Sequence, residues 1–188
     1  MGTIKATNIE PIADNGTVTL GSSGDTFSLG SGVVQSNLNY PAFFVVLSAD
    51  QTISDDTDTK VQFDTVKFDT DSAFNTTNHR FTVPSGKAGK YQVFGAITHS
   101  STSNSTLDVV HTKIYKNGSV EHVAHGVFRT NYLKQFTQLI DVTLDLADGD
   151  YLELYGYIDV TSGTPFFDSG IVGDSLKSSC FGAYRIGT

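Results

Sequence analysis

The chain has 188 residues, a formal net charge of −8 and a single cysteine. The negative charge argues against nucleic-acid binding, which needs clustered Lys and Arg side chains, and against anionic membrane surfaces. One cysteine excludes an internal disulfide, and no apolar run approaches the length of about 18 residues that a membrane-spanning helix needs. The N-terminus also lacks the layout of a signal peptide. Abundant Thr, Ser, Gly, Val and Phe, with few strong helix formers, predict an all-β protein.

The first 39 residues differ in composition from the rest of the chain. They contain one of the 13 phenylalanines and none of the 8 tyrosines. Within them Thr-Val-Thr-Leu-Gly (17–21) returns as Thr-Phe-Ser-Leu-Gly (26–30), and each copy predicts a strand too short to bury a core of its own. We therefore predict two parts, an N-terminal segment over residues 1–39 and a globular domain over residues 40–188.

Short strand signals separated by turn residues recur through the second part. The apolar run AFFVVLSA predicts a strand buried on both faces, and Asn117-Gly118 and Asp148-Gly149 predict two hairpin turns. The predicted strands and hairpins lie at 42–49, 60–68, 79–83, 90–98, 109–128, 138–160 and 178–186. This spacing indicates an antiparallel sandwich or jelly roll of about ten strands.

Alternation in the 138–160 region separates a core face from a solvent face. The core-facing residues are Ile140, Val142, Leu144 and Leu146, and then Leu152, Leu154, Ile158 and Val160. The opposite face of the second of these strands carries Tyr151, Glu153, Tyr155 and Tyr157. Such a tyrosine row can reflect cross-strand packing at the surface, or it can form a subunit interface, where the rings are buried and the hydroxyls hydrogen-bonded. We favour the interface, because the N-terminal segment also requires partners.

Four short motifs, taken in order, resemble the globular heads of the complement and tumour-necrosis-factor jelly-roll superfamily. They are Phe81-Thr82 followed by Gly89-Lys90-Tyr91, the Lys116-Asn117-Gly118 hairpin, Gly149-Asp150 with Leu152 and Leu154, and the terminal Phe181-Gly182. The family pattern has Phe two residues after its tyrosine, whereas this chain has Val93 there and Phe94 on the other face. The resemblance implies a ten-stranded jelly roll that assembles into a homotrimer and binds rather than catalyses. We expect Tyr91, Tyr151, Tyr155 and Tyr157 at the trimer interface of the head.

The N-terminal segment resembles the stems of bacteriophage fibre and spike proteins. In such stems three chains intertwine, and each short strand is completed by its neighbours. The resemblance implies that residues 1–39 form a short intertwined β stalk that also anchors the protein to other virion proteins. The residues expected to point toward the three-fold axis are Val18, Leu20, Phe27 and Leu29.

The sequence offers little for metal binding or catalysis. Of the five histidines, at positions 79, 99, 111, 122 and 125, the last two are three residues apart, which places them on opposite faces of a strand. We therefore expect no zinc site. The acidic stretch around Asp55, Asp56 and Asp58 is interpreted as a solvated loop, and these three residues are the candidates if the head binds calcium. No nucleophile motif or phosphate loop is present, so we expect no enzymatic activity.

Together these features predict a phage virion structural protein on the virion surface, a trimeric fibre or spike. Its head would recognise a host surface component, a saccharide or a protein, through distal loops that carry Phe74, Tyr132, Phe166 and Phe167. The first alternative is a capsid decoration or head-fibre protein that cements or ornaments the shell. The second is a secreted binding module of the complement type.

Overall fold

The computed structural model describes residues 40–130, 132–170 and 177–187, together with Thr26. These residues form thirteen strands and no helix, and hence no helix that could cross a membrane. The strands are β1 (Ala42–Val46), β2 (Gln51–Thr52), β3 (Thr59–Lys60), β4 (Thr65–Asp69), β5 (Phe74–Asn75), β6 (Arg80–Thr82), β7 (Gly89–Ser101), β8 (Leu107–Lys116), β9 (Ser119–Val127), β10 (Gln135–Leu146), β11 (Tyr151–Val160), β12 (Pro165–Asp168) and β13 (Cys180–Gly187). Three of them have only two residues, so the prediction of about ten strands is confirmed for the described residues.

Every strand pairing is antiparallel, and the strands divide into two sheets. In the first sheet the order is β4-β1-β13-β7-β10, with the short β12 and β2 extending it beside the C-terminal half of β7. In the second sheet the order is β5-β6-β11-β8-β9, with β3 on β11. The two sheets pack face to face, which gives each strand one core face and one outer face.

The core between the sheets is rich in aromatic rings. Six of them are completely buried: Phe43, Phe63, Phe81, Tyr91, Phe167 and Phe181. The predicted alternation in β10 and β11 is confirmed, because Ile140, Leu144, Leu152 and Ile158 are all buried. The apolar run in β1 is buried on its core face, where Phe43 and Val45 are 0% exposed, but the predicted burial of both faces is wrong at Phe44, which is half-buried on the outer face.

One of the two predicted hairpins is present and the other is wrong. Asn117 and Gly118 adopt φ values of 53° and 79° and join the paired strands β8 and β9, as expected for a two-residue hairpin. The turn at Asp148-Gly149, however, connects β10 of the first sheet to β11 of the second sheet. The sequence Asp-Gly specifies a tight turn, but it does not specify whether the chain returns to the same sheet or crosses to the other one.

Candidate interaction surfaces

A row of phenylalanine rings crosses the outer face of the first sheet. Phe94 of β7 lies opposite Gly182 of β13, which lies opposite Phe44 of β1, which in turn lies opposite Phe68 of β4. The ring centroid of Phe44 is 6.2 Å from that of Phe94 and 6.1 Å from that of Phe68. We call the residues Phe44, Phe68, Phe94 and Tyr184 the phenylalanine face. Its four rings come from four different strands, β1, β4, β7 and β13.

Gly182 is what allows this row to lie flat on the sheet. A Cβ atom at position 182 would be 2.5 Å from Cζ of Phe94 and 2.9 Å from the Phe43 carbonyl oxygen. Both distances are too short for any real side chain, so the Phe94 ring occupies the space that a residue at this position would otherwise fill. The structure also shows where the chain departs from the family pattern, which has Phe at the position of Val93. Val93 is buried in the core, whereas Phe94 is on the outer face.

The phenylalanine face is apolar and open. Phe68 is 51% exposed and Tyr184 is 38% exposed, and Leu139 of the neighbouring edge strand β10 is 73% exposed. The polar side chains of this side of the sheet bond to one another, because Gln92 donates to Asp141 and Thr143 donates to Gln92. Contiguous exposed aromatic groups with a polar margin are typical of interaction surfaces.

The predicted row of Tyr151, Tyr155 and Tyr157 lies on the outer face of the second sheet, and we call the surface around these residues the tyrosine face. Tyr155 stacks on Tyr115 with ring centroids 4.0 Å apart, and Tyr157 stacks on His111 at 4.7 Å. The guanidinium of Arg80 lies 4.4 Å from the centroid of the Tyr151 ring. All three tyrosines are half-buried in this way. Cross-strand packing within the chain, the other interpretation that the sequence allowed, therefore accounts for much of their ring surface.

The charged groups of the tyrosine face are also paired within the chain. Nζ of Lys113 lies 2.6 Å from the Asp58 carboxylate, and Nζ of Lys60 lies 2.9 Å from that of Glu153. Tyr157 donates its hydroxyl proton to Asp56, and this hydrogen bond raises the pKa of Tyr157. The charged groups named here are thus paired, whereas the buried Nδ1 of His111 on the same surface has no hydrogen-bond partner. A subunit interface at Tyr151, Tyr155 and Tyr157 stays a prediction.

The placement of Tyr91 at an interface is wrong. Its side chain is 0% exposed, its ring packs against Phe81 at 6.0 Å, and its hydroxyl donates to the Lys87 carbonyl oxygen at 2.6 Å. Burial raises the pKa of Tyr91 to about 12. Tyr91 shares the core face of β7 with Val93, so this tyrosine lies inside the sandwich, whereas those of β11 lie outside it.

Two of the four aromatic residues assigned to ligand-binding loops are also in the core. Phe74 is 7% exposed and stacks on Phe43 at 5.3 Å, and Phe167 is 0% exposed and lies edge-on to His99 at 6.0 Å. Both belong to short strands, β5 and β12, that the polar surrounding sequence does not reveal. Phe166, half-buried on β12, and Tyr132, which is 39% exposed, remain available to a ligand.

The three candidate calcium ligands bind separate protein groups. Asp55 accepts a hydrogen bond from the Val160 amide at 2.9 Å, Asp56 accepts one from Tyr157, and Asp58 pairs with Lys113. Across residues 40–130, 132–170 and 177–187, no three His, Cys, Asp or Glu side chains gather as metal ligands. The four residues predicted to line the stalk axis, Val18, Leu20, Phe27 and Leu29, lie outside the described residues, as does the domain boundary before Tyr40.

The comparison with solved structures gave a clear match for the fold. The chain resembles the globular domain of zebrafish complement 1qA protein, with a TM-score of 0.52 and 14% sequence identity, over 78% of this chain and 97% of that domain. The two antiparallel sheets therefore form a jelly-roll sandwich like that of this complement domain. At this identity the likeness shows the fold alone. No family model matches the chain, and no curated protein matches it.

Proposed function

We propose that the protein is a homotrimeric structural protein of a phage virion, a surface fibre or spike with a jelly-roll head. The observation that carries self-association is the phenylalanine face, a flat aromatic surface that spans four strands and ends at a margin of hydrogen-bonded polar groups. The stalk-like repeats of residues 1–39 support the phage assignment. In this proposal the head recognises a host surface saccharide or protein through distal loops, and Tyr132 and Phe166 are its exposed aromatic residues.

The phenylalanine face suits a second copy of the chain better than it suits a sugar. A saccharide needs hydrogen-bond partners for its hydroxyl groups, and Phe44, Phe68 and Phe94 provide none. Apolar aromatic surface surrounded by polar groups is instead typical of the buried centre of a protein interface. The tyrosine face, by contrast, has its rings and charges paired internally. We therefore place the main contact between chains at the phenylalanine face.

Replacing Phe68 by glutamate should reduce the native mass of the full chain from three times 20.2 kDa to the mass of a single chain. The reason is that each subunit contact would bury an unpaired carboxylate in an apolar surface. Light scattering coupled to size exclusion measures this mass, and circular dichroism shows that the variant is folded. Val127→Glu is the matched control, because Val127 is also 51% exposed but lies on β9 of the second sheet.

The outcomes separate the two candidate interfaces. If Tyr155→Ala gives monomers and Phe68→Glu leaves the mass unchanged, the interface lies on the tyrosine face. A monomeric native chain would contradict the trimer and the fibre or spike with it. Removal of residues 1–39 tests whether the head drives assembly, since a truncated head that stays trimeric does not need the stalk.

Two other functions can be distinguished by what the trimer binds. A capsid decoration protein would bind empty capsids and give no signal on a glycan array, whereas a host-recognition head would give an array signal. The likeness to a complement globular domain is equally compatible with a secreted binding module. That function would be favoured if the protein binds soluble or cell-surface partners and does not associate with virions.

A further inference from the structure

Two histidines from different strands meet on the outer face of the second sheet. His111 of β8 and His125 of β9 are direct cross-strand partners, and their ring centroids are 4.6 Å apart with an interplanar angle of 82°. Directly opposite residues on one face of an antiparallel pair have side chains close enough to share a ligand. His125 is exposed and His111 is half-buried, so the pair opens to solvent on the β9 side.

A β-bulge creates this pairing. Next to the Asn117-Gly118 turn, Lys116 pairs with Ser119 and Tyr115 pairs with Val120. The register then shifts, so that Ile114 pairs with His122 and Glu121 has no partner. If Glu121 were not bulged out and the register next to the turn continued, His111 would lie opposite Ala124 instead of His125. Bulges of this kind re-aim side chains, and here the result is two imidazoles side by side.

The environment of His111 fixes its ring and leaves one nitrogen without a partner. Nδ1 of His111 is buried and makes no hydrogen bond, while the far side of the ring stacks on Tyr157 at 4.7 Å. Desolvation, followed by the nearby charges of Lys113 and His125, lowers the pKa of His111 and so favours its neutral form. A neutral imidazole has a free lone pair, which is the form that binds metals.

We propose that His111 and His125 form a two-histidine site for a divalent transition metal of the zinc class, with water completing the coordination. Two imidazole nitrogens on one tetrahedral metal ion are about 3.3 Å apart. The two ring centroids are 4.6 Å apart, and because the His111 ring is held by Tyr157, the exposed His125 side chain is the one that turns to reach this spacing. Imidazole suits Zn²⁺, Ni²⁺ and Cu²⁺. The Lys113 ammonium close by is paired with Asp58 at 2.6 Å, which offsets its repulsion of a cation.

Titration of the full-length, tag-free chain with Zn²⁺ or Ni²⁺ in a calorimeter tests this site. We expect one metal ion per chain near neutral pH and much weaker binding in mild acid, where protons compete for the imidazoles. His125→Gln should weaken binding by roughly tenfold or more. The variant keeps only His111 as a protein ligand and loses the gain in affinity that comes from two ligands on one chain. Long-range ¹H–¹⁵N spectra of the histidines should show a metal-induced shift at Nδ1 of His111.

His122→Gln is the matched control, since His122 is exposed on the same strand but pairs with Ile114. The proposal is overturned if His125→Gln binds metal as the native chain does, if His122→Gln loses as much affinity, or if the native chain binds none at millimolar metal. The monomeric Phe68→Glu variant should bind metal normally, because the site lies on the other sheet. Failure of the trimer and failure of the metal site are therefore separate results.

Discussion

Replacing Phe43 by alanine should lower the free energy of unfolding by about 3–5 kcal/mol, the usual cost of removing a buried phenylalanine. Phe43 is 0% exposed and contacts three other rings, with centroid distances of 4.7 Å to Phe81, 5.3 Å to Phe74 and 5.2 Å to Phe181. These partners come from both sheets, so the substitution opens a cavity where the sheets are joined. Denaturant unfolding at a fixed protein concentration measures the loss.

Tyr132→Ala provides the control for this substitution. Tyr132 is 39% exposed, so its truncation should change the free energy of unfolding by less than about 1 kcal/mol. If Phe43→Ala unfolds with nearly the native midpoint and slope, the aromatic cluster does not hold the two sheets together. If the variant does not fold at all, Phe43→Leu gives the same comparison with a smaller cavity.

Stability should fall by on the order of 3 kcal/mol between about pH 6.5 and pH 4 through His99 alone. His99 is 0% exposed, and desolvation lowers its pKa from 6.5 to about 4 in the folded protein. In this interval the unfolded chain binds a proton that the folded chain does not, so acid favours unfolding. Above about pH 6.5 the contribution of His99 is complete, and below about pH 4 no more is lost. Unfolding free energies measured across this interval give the slope.

The variant His99→Leu should remove most of this slope. In the native protein Nε2 of His99 lies 2.9 Å from the His111 carbonyl oxygen, and Nδ1 is buried without a partner. Leucine cannot be protonated, although His111 still contributes a smaller dependence in the same direction. An equally steep slope in His99→Leu would show that another group controls the acid sensitivity.

Local patterns in the sequence were sufficient to predict the type of fold. Alternating apolar residues identified the core faces of β10 and β11, and Asn117-Gly118 identified a hairpin. Patterns within one strand could not show which sheet a strand joins, and the crossing at Asp148-Gly149 was therefore missed. Tyr91, Phe74 and Phe167 were misplaced for a related reason. Burial of an aromatic ring depends on which sheet covers it, and sequence context alone does not give that information.

The two surfaces that matter most for function arise from pairings between distant residues. The phenylalanine face combines residues 44, 68, 94 and 184, which become neighbours only through the order β4-β1-β13-β7. The adjacent Phe43 and Phe44 did carry a signal, since on a strand one of them has to face outward. The histidine pair depends on a single bulged residue, and the undisturbed hairpin would have placed His111 opposite Ala124.

The position of β7 in the first sheet also constrains how the protein is made. Its hydrogen-bonding partners β10, β12 and β13 all follow it in the chain, and β1 pairs with β13. A ribosome therefore releases β7 before any strand that pairs with it, and β1 long before β13 covers one of its edges. Until β13 emerges, the nascent chain exposes open strand edges, which are sites of aggregation. We expect this chain to rely on chaperones during synthesis, and a stop codon before Cys180 to yield aggregates rather than a shortened, working head.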